Sequence, residues 1–560
     1  MKPWILLFLT LTAPSAFADL TFVSLQPTDT GYQAVVEGKV KGGAAAIKTW
    51  ADGEAVDVTW KEAGSKRYEA VLPNAGRIAV GTEGKKGPQL EAVVDLAPRQ
   101  DGFGDWTIYH IMLGHFNNGN KSNDGEVDGW RHENYAGGDL QGVRQKVDYL
   151  ADLGVNAVWL SPMFQANTSH GYDVRNYYRL GDAVAVPDNA EASMELYRGL
   201  TKELHEKGIR VVVDLPLNHA SAAYQMDTGD PGKLKPKATG ARQEAEKTWE
   251  SWGADFRYWN ISNENTRRFL KDAALYWLVD ENADGLRLDY VRGVEHSFWA
   301  ELYEEVQEKK PGTFLVGECW KDADGAAGNA KEIALYYEPV DGTPQFNSLL
   351  DFPMQIRATD VFARGAGSLA DIEAWLQQYA TLYGEGSQPT FFLDNHDMSR
   401  FLAWTEDDER LVAAVGFLAS LSSPMVIFYG TETGLRHAAP QPGFIDDSRV
   451  PMPWDSLNTG MIEEISTFLK ARQEHASLTH GGRLPIHADK ETLVMAKIGN
   501  DEVALVGVNL GDQERSVDLG SVGDDASFTP LMEAPLPEKK DGGWTWRLPA
   551  GKTSIVFITP

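Results

Sequence analysis

Between residues 106 and 430, short apolar runs alternate with amphipathic stretches, and this alternation most restricts the fold. The runs read WTIYHIM, VNAVWLSP, IRVVVDLP, GLRLD, TFLVGE, PTFFLD and PMVIFYG. Between them lie segments such as 193–207 and 265–281, apolar on one helical face only. That pattern predicts a parallel sheet covered by helices. Seven clear strands and a weaker one at 346–352 fit an eight-stranded closed (β/α)₈ barrel of the TIM type. A doubly wound open sheet would share the alternation, but its Gly-rich phosphate loop is absent from this sequence.

The flanks read differently. Residues 19–97 carry short alternating runs (YQAVVEG, AVDVTW, RYEAVLP) between Gly and Asn turns, which predicts a small N-terminal β-sandwich. LAPRQDGFGD then reads as a linker. The barrel is expected over 104–461, with a short insertion at about 220–255. From 462 a last helix leads into TLVMAKIG, EVALVGVNL and TSIVFITP, a C-terminal β-domain. Several domains suit a chain of 560 residues.

The formal net charge of −29 argues against nucleic acid or an anionic membrane as partner and suits a neutral substrate. Residues 1–18 read as a secretory leader: Lys2, an apolar run at 4–11, then Ala16 and Ala18 before Asp19. That run is too short to span a bilayer, and no later one suffices. The expectation is export, to periplasm or medium. Cys319 is the only cysteine, so the exported chain must hold together without internal disulfides.

In a parallel barrel, functional side chains collect at the C-terminal strand ends. Here IRVVVDLP ends in Asp214 with Asn218 and His219 beyond; GLRLD carries Arg287 and ends in Asp289; TFLVGE ends in Glu318; and PTFFLD is followed by Asn395, His396 and Asp397. Burying carboxylates is costly unless they are paired or used, so four such endings on one rim suggest one site. Glycoside cleavage needs a protonated carboxyl for the leaving oxygen and an ionised one for the anomeric carbon. Arg287 and Asp289, two apart on a strand, share a face, and the guanidinium is expected to keep Asp289 ionised. Burial and negative neighbours would raise Glu318. Read singly, Arg287 and Asp289 are equally a structural ion pair, His219 and His396 equally core histidines, and Asp214 equally a ligand of backbone amides.

With DLPLNH, GLRLD, GE and DNHD in this order and spacing, residues 105–454 resemble the α-amylase family, glycoside hydrolase family 13. GGDLQGV, SHGYDV and FYGTETG support the resemblance. It implies Asp289 as nucleophile, Glu318 as general acid/base and Asp397 as the third catalytic carboxylate, which binds sugar hydroxyls. It also implies that His219, Arg287 and His396 grip the sugar, with Tyr172 stacked beneath it and His170 close by; core packing is the plain alternative for Tyr172. The implied activity is retaining hydrolysis of α-1,4-glucosidic bonds in starch-type glucans, maltooligosaccharides or cyclodextrins. A transglycosylase would use the same residues, and a non-catalytic glucan-binding relative would be expected to lose the nucleophile or the acid, both kept here.

The loop NNGNKSND with the following GGD looks like the calcium loop of some family members. Asn118, Asn120, Asn123, Asp124, the carbonyl of Gly137 and Asp139 would supply the hard oxygens that Ca²⁺ takes; a solvated turn is the alternative reading. Asn218 is a weaker candidate for a second such site. The sequence departs from the family pattern after the nucleophile, where YVRGV replaces a Lys-His pair and Arg292 is the available cation. HGYDV and the N-terminal domain lean towards the neopullulanase/cyclomaltodextrinase-like branch.

Overall fold

The computed structural model describes residues 20–28, 31–84, 87–99, 102–124, 136–221, 224, 256–436, 448–520, 527–540 and 543–559. The expected leader at 1–18, and nearly all of the expected insertion at 220–255, lie outside the described residues.

Eight parallel strands form the central sheet: β1 (Thr107–Ile111), β2 (Ala157–Leu160), β3 (Arg210–Leu215), β4 (Gly285–Leu288), β5 (Phe314–Gly317), β6 (Ser348–Leu349), β7 (Phe391–Phe392) and β8 (Met425–Phe428). Hydrogen bonding runs in the order β6-β5-β4-β3-β2-β1-β8-β7. A parallel bridge between Leu350 and Thr390 joins the two ends and closes the barrel. All eight strands coincide with the runs read from the sequence.

Strand alternation sorts the side chains. Leu286 and Leu288 of β4, or Val211 and Val213 of β3, point outward into the large core under the helices. Trp106, Ile108, Ala157, Trp159, Val212, Phe314, Val316 and Phe392 point inward and plug the barrel. Each large apolar side chain buried in that plug contributes about 2 kcal/mol, which helps to offset the charges held at its top. Helices are fixed at their starts by side-chain caps. Asn189 accepts from the Ala192 amide before Ala190–Glu206, and Ser368 forms a capping box with Asp371 before Leu369–Leu382.

The N-terminal strands make two four-stranded antiparallel sheets, and the C-terminal segment makes a five-stranded and a three-stranded sheet. Their interiors are not separate. Leu20, Phe22 and Leu25 from one end of the chain share a cluster with Leu484, Ile486 and Val556 from the other. The strand Leu20–Thr28 is also clasped to the barrel: the Phe22 amide donates to Gln377 Oε1 and Gln377 Nε2 donates to the Phe22 carbonyl, both at 2.7 Å. No helix among the described residues is long and apolar enough to cross a membrane.

Candidate active site

The register of the sheet assembles the site. Asp214 on β3 lies directly opposite Arg287 on β4, and Arg287 opposite Val316 on β5, which puts Glu318 one step further along the same inward face. Arg287 is fully buried. Its Nη1 lies 3.0 Å from Asp214 and 2.7 Å from Asp289, and its Nη2 lies 2.9 Å from Glu318. One guanidinium therefore touches both residues expected to carry the chemistry. The contact with Glu318 is close without hydrogen-bond alignment, since Nη2 finds no acceptor in a suitable direction.

Asp214 holds this cation from behind. It accepts from Trp159 Nε1 (2.8 Å), the Tyr172 hydroxyl (2.8 Å) and Arg287, so its partners are side chains rather than backbone amides. The phenol's single proton goes to Asp214, which leaves His396 Nε2 to donate to the phenol oxygen at 2.6 Å. The Tyr172 and His396 rings lie parallel, 5.2 Å apart. His170 accepts the Tyr172 amide on Nδ1 at 3.1 Å. Tyr172 is thus fixed by hydroxyl, ring and backbone together.

His219 donates Nε2–H to the Tyr172 carbonyl (3.0 Å), and its Nδ1 lies 4.0 Å from Asp289 Oδ2. Burial pushes its pKa down to about 3, so the ring is neutral and Nδ1 is an acceptor. Burial also holds His396 well below the ordinary histidine value, with His110, Arg287, Arg449 and His170 adding to the effect. Neutral imidazoles suit the binding of sugar hydroxyls.

Burial raises Glu318 above the usual carboxylate range; Arg287 opposes this, and Asp289 and Asp397 push in the same direction as burial. For Asp289 burial is again the largest effect, Arg287 opposes it, and Asp214 and Asp397 add to it. The expectation that the guanidinium alone would hold Asp289 low is thereby corrected: with Arg287 shared among three carboxylates, burial prevails. Both carboxyls are therefore raised by burial and by their negative neighbours, with Arg287 opposing, so that the two titrate as a linked pair rather than as independent acids. The Tyr290 amide donates to Glu318 Oε2 at 3.1 Å, from a residue at φ 40°. Such a left-handed conformation is uncommon for a tyrosine and fits a functional constraint.

Asp397 is aimed by a local turn in which its amide donates to Asn395 Oδ1 at 2.8 Å. Arg449 then braces it, with Nη2 3.1 Å from Asp397 Oδ1 and Nε donating to the His396 carbonyl. The sequence gives Arg449 no role, since it lies outside every apolar strand run. Trp159 and His110 were also passed over, although strand alternation turns both inward; their rings stack at 3.7 Å. Arg292 lies 3.4 Å from both Asp324 and Glu332, so it is engaged with carboxylates of this chain.

The expected calcium-loop residues also come together. Asn118 Nδ2 donates to both oxygens of Asp124, Asp139 accepts from the Asn120 and Gly142 amides, and Asn123 Nδ2 donates to the Ala185 carbonyl. Gly137 sits at φ 84°, a left-handed conformation that favours glycine, and a Cβ there would also press on Asn118 Nδ2. Asn120 Oδ1 is occupied by the Ser122 amide and hydroxyl. Among the described residues, the oxygens of Asn118 and Asn123 are buried with no partner, as are both amide atoms of Asn218.

Similarity to known proteins agrees with this geometry. The family model "Alpha amylase, catalytic domain" matches residues 110–249 and 254–482. Neopullulanase 2 of Thermoactinomyces vulgaris is 28% identical over 78% of this chain and 72% of its own. A cyclomaltodextrinase of Geobacillus thermopakistaniensis is 26% identical over 82% and 75%. Among solved structures, a cyclomaltodextrinase superposes with a TM-score of 0.69 at 20% identity, covering 95% of this chain and 97% of its own. An α-amylase from Geobacillus thermoleovorans in complex with acarbose gives the same TM-score at 23% identity, over 82% and 100%. With two thirds of its length under the family model and the carboxylates of the motif converging on one buried arginine, this chain belongs to the α-amylase family of glycoside hydrolases.

Proposed function

We propose that the protein hydrolyses α-1,4-glucosidic bonds in starch-type glucans, maltooligosaccharides or cyclodextrins, with retention of anomeric configuration. The observation that carries this reading is the single guanidinium of Arg287 shared by Asp289 and Glu318 on adjacent strand ends. Asp289 Oδ1 is held by Arg287, which leaves Oδ2 to attack the anomeric carbon. As that bond forms, the glycosidic C–O bond breaks and Glu318 passes its proton to the leaving oxygen. Glu318, now ionised, takes a proton from water, and the hydroxide formed displaces Asp289 from the anomeric carbon. His219 Nδ1 and Asp397 receive sugar hydroxyls, and the Tyr172–His396 stack offers a flat face to the ring. The names of the similar proteins, neopullulanase and cyclomaltodextrinase, support a short-glucan or cyclic substrate.

The test is the product profile from starch, cyclodextrin, pullulan and maltotriose, with the first-formed anomer followed by NMR. An initial α-anomer from α-linked substrate supports the reading, and an initial β-anomer ends it.

A structural calcium ion is part of the same reading. The orphaned oxygens of Asn118 and Asn123, beside Asp124 and Asp139, make a donor set of the hard kind that calcium takes. Bound there, the ion would brace the loop ahead of the strand β2 region and supply no step of the reaction. Export is supported by the leader-like start of the sequence; an N-terminus at Asp19 in the secreted protein would establish it.

A further inference from the structure

Far from the carboxylates, where the barrel meets both β-domains, a buried ammonium lacks an acid. Lys497, on the strand Thr492–Ile498, is 1% exposed. Its Nζ donates to Ser422 Oγ (2.5 Å) and to the Gly481 carbonyl (2.9 Å), both uncharged oxygens, and no carboxylate pairs with it among the described residues. An ammonium has three protons to place, so one remains.

Its surroundings are cationic. Burial disfavours the charge on Lys497 most, and Arg483, Arg99 and Arg472 act in the same direction. The acids nearby already have partners: Glu373 takes Arg483 at 2.5 Å, and Asp95 takes Arg77 at 2.8 Å. Arg472 spends its donors on the carbonyls of Gly104, Ala419, Leu421 and Ser423 and on Thr107 Oγ1. A cavity of about 40 Å³ opens beside Lys497, walled by Asp95, Arg99, Tyr379, Ser422 and Arg483. That volume holds one small ion with a water or two, and no sugar ring.

A lone buried ammonium among guanidiniums either gives up its proton or recruits negative charge. We infer that this junction binds one small monovalent inorganic anion of the halide class, held by Lys497 with Arg99 and Arg483, which ties the barrel to both β-domains. The site stands apart from the carboxylates, so its occupancy governs stability and leaves turnover unchanged.

The test compares thermal unfolding of the full chain in sodium chloride and in sodium gluconate, too large for the cavity, at equal ionic strength. The expected result is a melting temperature higher by about 2 °C in chloride, with equal kcat/KM in both salts. Lys497→Met should abolish the difference. Should that variant fail to fold, Arg99→Gln keeps the test open by raising the half-saturating chloride concentration several-fold. Crystals grown in bromide should show an anomalous peak within contact distance of Lys497 Nζ. No chloride-specific shift in the unmodified protein, an equal shift in both variants, or bromide found only on the outer surface would each overturn the inference.

Discussion

Arg449 Nη2 lies 3.1 Å from Asp397 Oδ1, across fifty-two residues of sequence. Asp397 is the most open of the three carboxylates assigned to catalysis in the proposed function, its side chain 20% exposed against 10% for Asp289 and 7% for Glu318. A side chain near solvent keeps one rotamer only if something holds it, and Arg449, itself 6% exposed, does so from the protein side. Arg449→Met should lower kcat/KM by about 10- to 100-fold, the worth of one charge-assisted hydrogen bond. Steady-state kinetics on a defined maltooligosaccharide would measure it. Unchanged kinetics would remove Arg449 from the positioning machinery.

Asp289→Asn and Glu318→Gln should each cut turnover by about four orders of magnitude or more, because in the proposed mechanism both groups act in the transition state. Circular dichroism should show the fold intact. Either variant retaining near-normal activity would refute the assigned roles.

The same Glu318→Gln change should stabilise the protein. Glu318 has a folded-state pKa raised above its ordinary value of 4.5, so the native state keeps a proton that the unfolded chain has already lost. Stability therefore falls as pH rises from 4.5 towards the raised native value. Glutamine removes that penalty. The variant should exceed the parent by about 2 kcal/mol at pH 8, and the gap should close below pH 4.5. Denaturant unfolding at several pH values reads this directly; a gap independent of pH would point to packing instead.

Tyr172→Phe keeps the ring but deletes the proton donor to Asp214 and the acceptor for His396. Turnover should fall by about tenfold. A change in KM alone would mean that the ring only stacks.

Chelation should lower the melting temperature, since an ion bound only by the folded state stabilises it. Asn123→Ala should weaken the response to added calcium. A melting curve indifferent to chelator would exclude the metal from this loop.

Much of this architecture was legible in the sequence because barrel strands are short, apolar on both faces and evenly interrupted. The polar residue at the end of each such run is conspicuous, which makes Asp214, Asp289 and Glu318 visible, with Asp397 just beyond the run PTFFLD. Arg287 was placed by its spacing of two from Asp289, but the number of its acids was not: sharing among three carboxylates depends on register, which no local pattern encodes. Arg449 and the Tyr290 amide escape for a related reason, since one lies outside every apolar strand run and the other acts through backbone common to every residue. The continuity of the N- and C-terminal cores was hidden too, because alternation reveals that a strand has an inner face and says nothing about what lies against it.

The pair of hydrogen bonds between Phe22 and Gln377 makes the strand Leu20–Thr28 a keystone rather than an appendage. Cutting the chain beyond Phe22 would strand a primary amide in a dry slot on a barrel helix and open the seam where the two chain ends meet. Any expression tag, fusion or shortened variant that keeps this clasp must therefore join ahead of Leu20.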